Sequence, residues 1–107
     1  MGGGISSIPF TPNSSCIASN TLVVEKGEKV YITGEIVSNN VIAAGDTIVS
    51  GLPAPSSAVT VVNGLYKGSD NTNLRKLTVD TSGNLKLASD QSGMAVATWY
   101  LTTFYSV

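Results

Sequence analysis

The side chains that could do chemistry in this chain are seven carboxylates, at Glu25, Glu28, Glu35, Asp46, Asp70, Asp80 and Asp90, with no histidine to accompany them. Lack of imidazole removes the commonest general base and metal ligand, and with them every Ser-His-Asp or Cys-His nucleophilic arrangement. Glycine motifs that cradle phosphate are absent too. Glycoside hydrolysis needs only two carboxyl groups roughly 5 to 10 Å apart, which folding can supply. Most of the seven nevertheless sit at expected turns, where acidic side chains serve the backbone and solvent. Asp70, Asn71 and Asn73 offer oxygen atoms of the kind calcium takes, but the calcium-loop signature and its closing glutamate are missing, so polar turn chemistry accounts for them. The expectation is a chain that is not an enzyme and holds no metal or cofactor.

Binding chemistry is better represented. Trp99 and the tyrosines Tyr31, Tyr66, Tyr100 and Tyr105 carry flat rings that can cover the C–H face of a sugar while neighbouring Asp, Asn and Arg bond its hydroxyls. A lone tryptophan in a small domain is also ordinary packing. Cys16 is the only cysteine; it allows neither an intrachain disulfide nor a zinc or redox spacing, and reads as a small buried hydrophobe.

Composition narrows the partners. The formal net charge is −1 and the six basic residues are scattered singly, so there is no electrostatic footprint for nucleic acid or an anionic membrane. No apolar run approaches the roughly 20 residues that span a bilayer, and Met1-Gly-Gly-Gly lacks the basic start and apolar centre of a signal peptide. The expectation is a soluble chain with no membrane insertion. Met1 and its three glycines read as the start of an excised piece of a longer natural protein.

The elements that must position these side chains are strands. Within LRKLTVDTSGNLKLA, Leu77 and Val79 alternate before a turn, and Leu85 and Leu87 after it. A Thr81-Ser82-Gly83 loop with left-handed Gly83 sets Val79 opposite Leu85, Leu77 opposite Leu87 and Thr78 opposite Lys86. A turn at Lys26-Gly27 would set Val23 opposite Val30 and Thr21 opposite Ile32. Val30, Ile32 and Ile36 then face the core, Lys29, Tyr31, Thr33 and Glu35 face outward, and Gly34 marks a bulge or a close backbone approach. The near-continuous apolar run Ala58 to Val62 predicts a strand covered on both faces, with Asn63-Gly64 as a turn within the segment. Lys67 to Asn73 is a polar loop. In the last strand, Met94 to Val107, Ala97, Trp99, Leu101, Thr103 and Tyr105 face one way and Thr98, Tyr100, Thr102 and Phe104 the other.

With no helical periodicity, about eight short antiparallel strands with regular turn signals predict an all-β jelly-roll β-sandwich. Its aromatic last strand leans toward an oligomer. Residues 1–15, rich in Gly, Pro and Ser, are expected to be a linker or stem-proximal segment without regular structure, with Ile5, Ile8 and Phe10 able to dock on the domain flank or a neighbouring subunit. Residues 16–107 are expected to form the β-sandwich head domain.

The order of segments carries a resemblance. ITGEIVSNNVIAAGDTIVSGLPAP, followed later by LTVDTSGNLKLA and a final aromatic-rich strand, resembles the C-terminal head domains of bacteriophage receptor-binding proteins of tail fibres and baseplates, over roughly residues 28–107. The resemblance implies a small jelly roll that forms a homotrimer on a stem at the tail tip or baseplate of a virion, with Ile5 to Pro12 near the stem. It also implies binding to a host cell-surface glycan at a shallow site, with host adhesion and no catalysis as its function. No family motif fixes the contacts, so side-chain chemistry and loop position name the candidates: Trp99, Tyr66, Asp70, Asn71, Asn73 and Arg75. Two alternatives stay open: a structural trimerisation or cap module of a fibre, and a monomeric carbohydrate-binding module attached to a larger protein.

Overall fold

The computed structural model describes residues 5–67 and 70–107, with the side chains of all of these except 62–73. Ten strands account for the described secondary structure: β1 (Ser6–Ser7), β2 (Thr11–Pro12), β3 (Ile17–Asn20), β4 (Val23–Lys26), β5 (Val30–Ser38), β6 (Thr47–Ser50), β7 (Val59–Lys67), β8 (Asp70–Val79), β9 (Leu85–Leu87) and β10 (Thr98–Tyr105). Every pairing is antiparallel, and among the described residues there is no helix.

The strands follow one hydrogen-bonded path, β1-β4-β5-β10-β7-β8-β9-β6-β2, with β3 joining β4 along the remaining edge of β5. The path folds back on itself. Its end strands β1 and β2 are separated in sequence only by Ile8-Pro9-Phe10, a stretch that can span at most about 14 Å, close to the roughly 10 Å spacing of stacked sheets. Two layers therefore face each other across a single core, the arrangement of a β-sandwich. That core holds Val30, Ile32 and Ile36 of β5, Trp99 and Leu101 of β10, Leu77 and Val79 of β8, Leu85 and Leu87 of β9 and Ile48 of β6.

Local sequence explains several of these elements. In the β8–β9 hairpin Leu77 lies opposite Leu87, Thr78 opposite Lys86 and Val79 opposite Leu85, the register that the alternation predicts. Gly83 adopts φ +79°, and the Asp80 carboxylate accepts bonds from the backbone N–H groups of Ser82 and Asn84 at 2.9 and 3.0 Å. Gly34 is a close approach: with φ +128°, an added Cβ would lie 2.5 Å from the Thr21 carbonyl oxygen of the neighbouring segment. Between β3 and β4 the Asn20 side chain accepts the Leu22 N–H at 2.9 Å, and the Thr21 N–H donates to Glu35 O at 2.9 Å.

Other expectations need correction. In the β4–β5 hairpin Lys26 pairs with Val30 and Val24 with Ile32, so the connection is Gly27-Glu28-Lys29 and not a two-residue turn at Lys26-Gly27. Moving the register by an odd number of residues turns β4 over: Val24 is buried and Val23 is 46% exposed. Val24, between the exposed Val23 and the partly exposed Glu25, is thus the β4 side chain that fills the core. Residues 5–12 are not a structureless linker, because β1 pairs with β4 and β2 with β6, and Ile8 and Phe10 pack against the core. The β7 strand is not covered on both faces: Val61 is buried and Thr60 exposed. Strand β7 runs through Asn63-Gly64 with a register shift between Val61 and Leu65 instead of a turn, an accommodation typical of a bulge. The final strand is shorter than expected, since Met94 makes only an isolated bridge to Ile42.

Candidate functional site

Trp99 and Arg75 are brought together, as a structural clamp. Trp99 is fully buried on the inner face of β10, its indole Nε1 donating to Ala95 O at 3.0 Å. The Arg75 guanidinium covers the ring at 5.4 Å from its centroid. Arg75 Nε and Nη2 donate to the carbonyls of Ser92 and Gly93, both at 3.1 Å, tying the turn before β10 to β8. Trp99 therefore offers no ring face to a sugar: the alternation that gives β10 two faces puts this ring on the core side, and Arg75 closes its end.

Asp70, Asn71 and Asn73 do not sit in a loop. They open β8, with Asp70 opposite Lys67 in the β7–β8 hairpin. The expectation failed because polar composition reads as a turn even where cross-strand pairing holds the backbone extended. Tyr66 lies opposite Tyr100 between β7 and β10. The side chains of Tyr66, Asp70, Asn71 and Asn73 lie outside the described residues.

Other polar groups serve the fold. Asp46 Oδ2 accepts the Ala43 N–H at 3.0 Å, and Asp90 meets Lys76 Nζ at 2.6 Å, which lowers the Asp90 pKa. Bonds from Asn84, with Lys86 nearby, hold the Asp80 carboxyl well below the usual carboxylate range. Burial raises the Cys16 thiol, as suits an unreactive core residue. The Tyr105 hydroxyl donates to Pro53 O at 2.8 Å, and burial pushes its pKa up to about 12. Among the described residues no group of three His, Cys, Asp or Glu side chains is placed to hold a metal ion.

Among the described residues, an arrangement open to a ligand lies on the outer face of β5 and β10. These strands pair from Thr98 opposite Val37 to Tyr105 opposite Val30, which sets Phe104 beside Tyr31 and Thr102 beside Thr33. The two rings are tilted by 38° with centroids 6.2 Å apart, and Phe104 is 56% exposed. The β10–β7 ladder ends at Leu101, although β10 continues to Tyr105, and at that point an open groove of about 540 Å³ forms. Its walls are Tyr31, Thr33, Thr102, Thr103 and Phe104, closed on the β7 side by Thr60 and Val61. Glu25 lies opposite Tyr31 in β4 and Glu35 two residues beyond Thr33 in β5, both outside the lining.

Aromatic rings supply a flat apolar platform. Each threonine hydroxyl supplies one donor and two acceptor sites. Among the described residues the lining offers aromatic rings, aliphatic carbon and threonine hydroxyls, groups suited to reversible binding. The outward orientation of Tyr31, Thr33, Thr102 and Phe104 is legible from strand alternation; their assembly into one groove requires β5 and β10 to be neighbours, a pairing across more than half the chain that no local pattern encodes. Comparison with family models, with curated proteins and with solved structures finds no match to this chain.

Proposed function

We propose that this chain is a non-enzymatic host-adhesion module of a phage tail, a trimeric jelly-roll head at the tail tip or baseplate that binds a cell-surface saccharide. The observation that supports the reading is the open aromatic and threonine groove on the outer face of β5 and β10, chemically matched to a hydroxyl-rich ligand with a flat C–H face. The all-β antiparallel architecture suits such a head, and the segment order described above supplies the resemblance. A shallow site of this kind binds weakly alone, and repetition in a trimer raises its avidity. The test is retention of the purified domain on isolated cell walls before and after extraction of wall polysaccharide. Saturable binding that vanishes with the polysaccharide is expected; equal retention on both, or none on walls from a broad range of hosts, contradicts the reading.

A second reading, a structural trimerisation or cap module, is favoured by a separate apolar patch. Val37, Val41 and Val96, between 37% and 61% exposed, flank the pairing of Ser38 with Ala97 and of Ile42 with Met94. In the trimeric head this patch is the surface we assign to subunit contact. A module that trimerises but shows no glycan-induced amide shifts supports the structural reading.

A further inference from the structure

We infer that the β5–β10–β7 groove takes an uncharged saccharide and discriminates against anionic wall polymers. This inference rests on the adhesion reading and specifies its ligand class and subsite. Among the described residues the lining, Tyr31, Thr33, Thr60, Thr102 and Phe104 with Val61 and Thr103 completing it, includes no cation and no carboxylate. A phosphate-bearing or uronic-acid polymer would leave its charge unpaired against the two aromatic rings, and desolvating an unpaired charge is costly. The nearest charges by register, Glu25 across from Tyr31 and Glu35 along β5 from Thr33, repel an anion further. On the β7 side the outward row runs from Thr60 through Thr78 to Lys86, whose ammonium is engaged by Asp80 at 3.1 Å.

The cross-strand neighbours Thr33 and Thr102 lie beside the ring pair Tyr31 and Phe104 on the same two strands. A neutral pyranose can rest its C–H face on the rings and direct hydroxyls to the threonines, using both halves of the lining. An apolar surface from a second copy would satisfy the rings and leave the threonine hydroxyls dry and unmatched, so the saccharide is the occupant that fits the whole groove.

The test is an amide chemical-shift titration of the full chain with neutral wall glycans, glycerol-phosphate polymer and uronic-acid polysaccharide, at about 20 mM and 500 mM salt, a range across which exposed charge interactions are strongly screened. The inference expects a neutral glycan to shift amides of β5 and β10 around Tyr31 and Phe104, with a Kd that changes less than about twofold between the two salt conditions. Phe104→Ala should weaken that binding about tenfold, the order of a central contact residue, and Thr102→Val should weaken it while keeping volume. Preferential, salt-sensitive binding of an anionic polymer overturns the inference and leaves adhesion standing, as does a neutral glycan that shifts residues elsewhere. If no saccharide binds, adhesion itself fails and the inference falls with it. Amide shifts on this face that depend on protein concentration alone identify a second copy as the occupant and overturn the proposal.

Discussion

A Cβ placed on Gly83 would collide with the Leu52 carbonyl oxygen, and its φ of +79° disfavours any L side chain. Gly83→Ala should therefore destabilise the domain by at least about 1 to 2 kcal/mol, read as a lowered urea midpoint with unchanged slope. Trp99→Ala removes a fully buried ring together with the seat of Arg75 and should cost about 3 to 5 kcal/mol, measurable in the same melt. Asp80, together with Asp90, should contribute acid sensitivity. The folded-state pKa of Asp80 is lowered by the bonds that close the β8–β9 turn, so its stabilising contribution is complete above the unfolded carboxylate value near 4 and is lost as pH falls below it. Asp80→Asn should lower the melting temperature at pH 7 and narrow the difference in melting temperature between pH 7 and pH 2.5, as followed by circular dichroism.

Elements differ in how openly the sequence declares them. The β8–β9 hairpin was legible to the exact pair because alternation, a turn with an Asp at its start and a Gly at its left-handed position all agree. The β4–β5 hairpin was misregistered because Lys26-Gly27 imitates a two-residue turn, and only the need to bury Val24 against Ile32 decides between the registers. The short strands β1 and β2 left no periodic signal at two residues each; they form because the edges of β4 and β6 are there to receive them. This gives the N-terminal segment a protective role, since uncovered strand edges recruit other chains. Deleting residues 1–12 should lower the melting temperature and produce concentration-dependent association visible by light scattering, whereas a truncated chain that stays as stable and as dispersed as the original would contradict that role. Of the candidate site, the outward side chains were legible strand by strand; the choice of Trp99 as a ligand contact was not upheld, because its ring is fully buried, whereas Arg75 is partly exposed and rests against that ring.

For the whole molecule, a single core between two layers leaves two surfaces with distinct assignments in our reading: the Tyr31–Phe104 groove for ligand and the Val37, Val41 and Val96 patch for neighbouring subunits. The sequence pointed to the fold class through its turns and alternation, but the strand order that joins Tyr31 to Phe104 arises from long-range pairing that only the folded chain contains. A trimeric adhesion head has a defined solution mass, measurable on the purified chain by light scattering behind a sizing column over a wide concentration range. The expected result is a concentration-independent particle near three times 11.0 kDa. A particle of 11.0 kDa at every concentration would contradict it and make a monomeric carbohydrate-binding module the better description.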